Sequence, residues 1–485
     1  MNRPIALFAL FILSATAAML SGQPNPIAAS DRTAVSLTVY NQNISLIREE
    51  RTIDLKKGIS TVVIPDIPAT IDGTSLHFSS LTNPTAVSVL EQNYQYDLVN
   101  QEKLLQKYIG KEVEFVRLDE QSKKEYTVKG TLLTSYGAGM VASINGKIEI
   151  NPTGRLVLPS LPEGLILKPQ LEWLVSSSEG GKHKTEISYL ASQLSWACDY
   201  VVLLNKDDNK LDLTGWVTLT NHSGTSFKDA ALKLVAGDVN IVQQNFRRDM
   251  MMGKTMVNGA AEQQFAQTEL FEYKLYTLQR HTDLNNDETK QIELVSGKDV
   301  ASKKVLIYDG LADQWQYWYN NYDYRSNGSF GQQSNTKVGV YVTFKNEQAC
   351  GLGIPLPKGK IRVYKKDEDG KEQFIGENQI DHTPKDEEIK LYLGNAFDVV
   401  GERAQTDFKN ISKRSVEETI TIKLRNHKKD AVEVQVYEHP WRWNEWKITQ
   451  STDDYQKVDQ STLKFPVKLA KDEEKVITYT IRYSW

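Results

Sequence analysis

The sequence predicts a mainly β chain: several tandem β-sandwich or Ig-like units, a small SH3-like barrel and one short packing helix. Three observations point there. Apolar and polar residues alternate with period two through most of the chain, clusters of Gly, Asn, Asp and Pro interrupt these runs, and a single segment stands out with a helical stripe. The 485 residues suffice for about three domains of ordinary size. A composition 40% hydrophobic and 25% charged is globular and excludes wholesale disorder. Lys and Arg total 58 against 62 Asp and Glu, net −4, which offers no basis for binding nucleic acid or an anionic membrane. Two cysteines exclude a disulfide-knit scaffold and a multi-cysteine metal cluster.

The elements follow in chain order. Arg3, the apolar run Ile5–Leu20 and the small, polar stretch after it read as a secretory signal peptide over 1–30, cleaved after Gly22 or Ser30. The rival reading is an uncleaved anchor, although 16 apolar residues are short for a span of about 20. Residues 31–95 form an N-terminal β domain. In 96–165, Asp97 is placed to cap a helix whose stripe is Leu98, Leu105 and Ile109, with Leu104 and Tyr108 beside it and Gly110 as the stop. Five short strands with tight Gly and Asn turns then suit the small barrel. Residues 166–405 form a large sandwich region, with Leu211, Leu213, Val217 and Leu219 on one face of one strand. A methionine-rich stretch with no clear period, near 243–266, reads as a mobile insertion in it. Residues 406–485 read as a C-terminal Ig-like sandwich. Its alternating sets are Ile420, Ile422, Leu424; Val432, Val434, Val436; Leu463, Phe465, Val467, Leu469; and Ile477, Tyr479, Ile481, Tyr483. Pro466 marks its strand as an edge.

Several long blocks are not generic β patterns: VYNQNISLIREERTIDLKKG, ISYLASQLSWACDYVVLL with LDLTGWVTLTNHSGTSFKDAALKLVAGDVN, and GIPLPKGKIRVYKKDEDGKEQFIGENQIDHTPKDEEIKLYLGNAFDVVGERAQTDF. With FEYKLYTLQR and KQIELV they resemble the exported bacterial proteins carrying the domain of unknown function 4139, relatives of the mucoidy-inhibitor-like proteins. The resemblance spans most of the chain after the signal peptide. It implies an envelope-associated, mainly β protein and carries over no catalytic residue. The coiled-coil insertion of the mucoidy-inhibitor-like relatives has no counterpart here, because no heptad run occurs.

Motifs that would carry chemistry are weak. The seven histidines show no metal-ligand spacing, so no metal site and no cofactor is expected. DLNNDE at 283–288 lacks the glycine and closing glutamate of a calcium loop and reads as a solvated turn. The G-x-G-x-x-A match from Gly137 is followed by strand and turn signals where a dinucleotide site needs a helix. His382, beside Asp381 and close to Asp386, Glu387 and Glu388, is a base candidate whose plainer reading is a turn-stabilising hydrogen bond. Cys198 and Cys350 form a possible disulfide in an oxidising compartment, or remain separate thiols.

Two aromatic clusters in inter-strand connections are the better candidates. One is Trp315, Tyr317, Trp318, Tyr319, Tyr322 and Tyr324, within the excursion Gly310 to Asn335; the other is Trp441, Trp443 and Trp446. Flat rings among Asn, Gln and Arg stack sugars or anchor partners. The competing role is to plug the ends of sandwiches. The expectation is therefore a periplasmic or extracellular protein, a non-catalytic module binding an envelope protein or a glycan. The alternatives are an extracytoplasmic hydrolase acting on glycan or peptide, and a structural surface component.

Overall fold

The computed structural model describes residues 26–96, 98–135, 139–162, 165–237, 239–240, 265–312, 314–319, 321, 324–328 and 334–485. Residues 1–25 of the signal-peptide reading, Asp97, Gly137, Tyr322 and nearly all of the 243–266 insertion lie outside them. The chain is mainly β and folds as two compact units. One comprises residues up to Val35 and Ile47–Leu190; the other comprises Ser36–Leu46 and Ala191–Trp485.

In the first unit, strands Ile27–Ala28, Gly58–Pro65, Gln170–Ser177 and Val87–Gln95 form a sheet in that order. Leu171, Trp173 and Val175 alternate inward from it, and Phe78 meets the Trp173 ring edge-on at 5.2 Å. A second sheet has the order Lys147–Ile150, Val141–Ile144, Glu125–Thr134, Glu112–Leu118, Arg155–Val157. These are the five strands anticipated for a barrel, but the barrel does not close. No backbone ladder joins Lys147–Ile150 to Arg155–Val157 among the described residues. The two edge strands are only four and three residues long. The Arg117 guanidinium bonds the Glu149 carboxylate from the strand next to the far edge, so a side-chain pair spans the sheet where a ladder would close it.

The helix is Gln101–Tyr108, and Asn100, not Asp97, caps it: the Asn100 side chain accepts the Lys103 N–H at 2.9 Å. Leu98 lies outside the helix in a bridge to Ile166. Ile109 has left helical geometry and is exposed. The buried stripe therefore narrows to Leu105 and Tyr108, which pack on Val113, Phe115, Leu132, Ala142 and Ile144. Gly110, at φ +80°, ends the helix as expected.

In the second unit the alternation reads true. Leu211, Leu213, Val217 and Leu219 are all buried, as are the four-residue sets of the two C-terminal strands. Val432 is only half-buried at the start of its strand. Two long strands organise the unit. Glu288–Asp309 pairs first with Lys210–Asn221, then with Lys337–Lys345 and Val432–Glu438. Glu388–Ser412 pairs first with Lys337–Lys345, then with Ser415–Asn426, and runs without a break through position 405. Pro466 pairs with Gln435 on one side, while the short strand on its other side, Gln456–Asp459, stops opposite Lys464. The missing N–H thus falls at an edge.

Two strand ends repeat one device. The Asn221 amide donates to the Thr225 carbonyl and its oxygen accepts the Ser223 N–H; Asn426 treats Asp430 and Lys428 in the same way. Both side chains are fully buried. They satisfy turn backbone that would otherwise be stranded at the ends of the strands.

Candidate functional site

The two sequence-predicted aromatic clusters, more than a hundred residues apart in the chain, meet in the second unit. Strand Glu288–Asp309 ends on Asp309, whose Oδ1 accepts the N–H groups of Leu311 and Ala312 at 3.1 and 2.7 Å. That cap turns the chain out into the short helix Gln314–Trp318. Asn335 closes the base of the excursion, its N–H donating to the Gly310 carbonyl at 2.8 Å. Opposite, strand Val432–Glu438 runs on into His439, Pro440, Trp441, Arg442 and Trp443.

The faces interlock ring by ring. Trp315 stacks on the His439 imidazole, with centroids 4.4 Å apart and planes 7° from parallel. Trp318 meets Trp441 edge-on at 5.5 Å, and Trp441 is buried. Arg325 is buried with its guanidinium 5.0 Å from the Trp443 ring and 4.6 Å from that of Trp485. Tyr319 packs edge-on against Trp315 at 5.8 Å. Tyr324 contributes its backbone carbonyl to Arg442 at 3.2 Å. Trp446 stands apart on the strand Trp446–Ser451, where its indole N–H donates to the Gln460 carbonyl and Lys457 covers its ring. Tyr317 is the exception: it is 83% exposed.

Beneath the rings lie two buried ion pairs that sequence reasoning missed. The Arg403 Nε bonds both Glu438 oxygens at 3.0 Å, and the Tyr479 hydroxyl donates to the same carboxylate. The Arg442 Nε donates to Glu418 at 2.9 Å, and its Nη1 donates to the Asn327 carbonyl at 2.9 Å. Burial alone would lower the Arg403 pKa, but the Glu438 charge more than reverses this and leaves it raised. Burial, reinforced by Glu438, pushes the Tyr479 hydroxyl far above its ordinary range. Removing one partner of such a pair strands a buried charge. The signal was present in the sequence: Glu438 continues the inward phase of Val434 and Val436, and Glu418 precedes Ile420, Ile422 and Leu424 in phase. A shallow cleft of about 410 Å³ opens beside this junction, lined by Arg325, Ser326, Asn410, Ser412, Lys413 and Trp485.

The remaining candidates have structural partners. The His382 Nδ1 accepts the Lys358 N–H at 3.2 Å, the turn-stabilising role. In the 283–288 turn, Glu288 accepts the Asn285 N–H and Asp283 accepts that of Asp229. The last two residues of the glycine motif, Val141 and Ala142, open the strand Val141–Ile144. Among the described residues no three His, Cys, Asp or Glu side chains converge as a metal site. Cys198 and Cys350 do not pair. Cys198 is buried within a strand between Val217 and Gly359, and burial pushes its thiol up to about 12. Cys350 sits in a separate 3-10 turn, where its thiol donates to the Glu347 carbonyl. No helix among the described residues is long and apolar enough to cross a membrane. In comparisons with known proteins, no family model and no curated protein matches the chain.

Proposed function

We propose that this chain is an exported, non-catalytic binding module of the bacterial cell envelope, a compartment in keeping with its resemblance to the domain of unknown function 4139 proteins. Tyr317 carries the reading. It projects almost fully exposed from a helix whose neighbouring rings, Trp315 and Trp318, are held by His439 and Trp441. An aromatic displayed on a base already ordered gains contact area on binding at little further entropic cost. The hydrolase alternative is less well supported. His439, paired with the half-buried Asp309 carboxylate, has both ring nitrogens engaged and one face covered by Trp315. Export with cleavage after Gly22 fits the fold better than cleavage after Ser30. The later cut would remove Ile27–Ala28, which pairs with Val62 and Val63.

The test is cross-linking of the tagged chain in living cells, followed by identification of what is captured. A discrete envelope component captured by the wild type and lost with Tyr317→Ala, at unchanged circular dichroism, is the expected result. Equal capture by both chains would remove Tyr317 from the contact face.

A further inference from the structure

The second unit carries another aromatic surface, assembled from strands far apart in sequence. On the sheet formed by Glu288–Asp309, Lys337–Lys345 and Glu388–Ser412, directly opposed residues share a face. The register therefore places Lys303, Thr343 and Lys390 in one row, and Val305, Tyr341 and Tyr392 in the next. A third row brings Ile307, Gly339 and Asn395 together. The rings of Tyr341 and Tyr392 lie 5.2 Å apart, tilted by 49°. A Cβ at Gly339 would stand 2.8 Å from the first ring and 3.4 Å from the second, so the glycine lets both rings lie low over the strands. The Tyr392 hydroxyl donates to the Asn395 Oδ1 at 3.0 Å, and Asn395 itself is exposed.

Lysines outnumber carboxylates around the two rings, with Glu388 in phase with Lys390 on its strand and Glu433 in phase with Tyr437. The Lys390 ammonium lies 4.6 Å from the Tyr341 ring and 5.8 Å from the Tyr437 ring. Lys464 faces Tyr437 across the next strand pair. Lys303, Lys390 and Lys464 form no ion pair among the described residues, and Glu388 is the one carboxylate that acts on Lys390. Burial, with the Lys464 charge, holds the Lys390 pKa below the ordinary lysine range despite the opposing Glu388 charge.

We propose that this face binds an acidic polysaccharide, a uronate-type chain whose pyranose C–H faces stack on Tyr341 and Tyr392 while its carboxylates meet Lys390, Lys464 and Lys303. Tilted tyrosines provide the apolar, weakly polarised surface that a sugar ring covers, Asn395 and Thr343 serve its hydroxyls, and the unpaired lysines supply charge complementarity. This rests on the reading of the chain as a binding module, but it uses a face and residues separate from Tyr317.

The experiment is calorimetric titration of the full chain with polygalacturonate oligomers and, separately, with neutral galactan oligomers of equal length, at low and high salt. The acidic oligomers are expected to bind, more weakly as salt rises. Tyr392→Ala should weaken them about tenfold, Tyr392→Leu less, and Lys390→Gln with Lys464→Gln should flatten the salt dependence. Tyr317→Ala should change none of this, so failure here and failure of the Tyr317 contact are told apart. Equal affinity for the neutral oligomers, no binding of either, or binding indifferent to these substitutions would overturn the proposal. So would poly-glutamate binding as tightly with the same losses in the variants, because the site would then recognise acidic peptide.

Discussion

His439 presents both ring nitrogens to acceptors: Nδ1 faces the Ser461 carbonyl at 3.2 Å and Nε2 the Asp309 carboxylate at 3.0 Å. Neither acceptor can donate, so the geometry calls for the imidazolium, and Trp315 stacked on its face favours that cation. The charged and titratable groups around it are Asp309 from the excursion side, Glu438 from its own strand, and Asp459 from the turn that carries Ser461. Glu438 is in turn bound to Arg403 and Tyr479. Burial by itself lowers the His439 pKa, but the Asp309 hydrogen bond and charge, with Glu438, leave it raised above the ordinary value. A group whose folded pKa is raised contributes stability that is fully present below its unfolded value, about 6.5 for histidine, and is lost as pH rises through the folded one. Amide exchange at 314–319 should therefore quicken as pH climbs above neutrality, beyond the intrinsic pH dependence of exchange. His439→Gln should abolish that extra acceleration. An identical profile in the variant would show that another group holds the helix.

Among the elements, strand Lys147–Ile150 has its polarity inverted. Its partner strand turns Ala142 and Ile144 into the core, and the residues opposite them are Glu149 and Lys147. Ile148 and Ile150 are left on the wet face, 71% and 76% exposed. The strand is also a sheet edge, so its outward backbone groups and its isoleucines face solvent together. Because these side chains bury little in the folded chain, Ile148→Thr with Ile150→Thr should change the denaturant midpoint by no more than about 0.5 kcal/mol equivalent. The concentration at which the protein begins to scatter light should rise. A clear loss of stability would mean that the isoleucines are packed and not free. The period-two pattern located this strand but not its inversion, because here the apolar phase, Ile148 and Ile150, is the one that faces solvent.

At the scale of the whole molecule, the second unit is discontinuous in sequence: it needs Ser36–Leu46 as well as Ala191–Trp485. Strand Ala34–Tyr40 pairs in parallel with Phe227–Ala236 from Ser36 to Tyr40, and Leu37 and Val39 are fully buried there. A fragment of 191–485 therefore lacks a strand and two core side chains, a loss of about 3–6 kcal/mol from their burial alone. Its urea midpoint should fall well below that of the same transition in the full chain. A synthetic peptide of residues 34–46 should recover part of the difference. A fragment as stable as the full chain would show that this strand is dispensable. The sequence division at 165/166 and 405/406 follows turns and composition. Neither the discontinuity nor the unbroken strand Glu388–Ser412 is visible at that level, since both arise from pairing between distant segments.

What the sequence determined by itself was local. Alternation at Leu211–Leu219, Ile420–Leu424 and Ile477–Tyr483 specified strands and their buried faces, because the side-chain period of a strand is an intrinsic property of extended backbone. Gly110 marked the end of its helix through its positive φ, and Pro466 marked an edge through its missing N–H. The aromatic clusters were legible as clusters, but not as one junction in which Trp315, Trp318 and Trp441 are locked and Tyr317 is displayed. The open edge of the five-stranded sheet, the unpaired cysteines and the Tyr341–Tyr392 face were decided only by the tertiary structure. Each depends on which distant strands become neighbours, and that is set by the summed burial of whole sheets and not by any single run of residues.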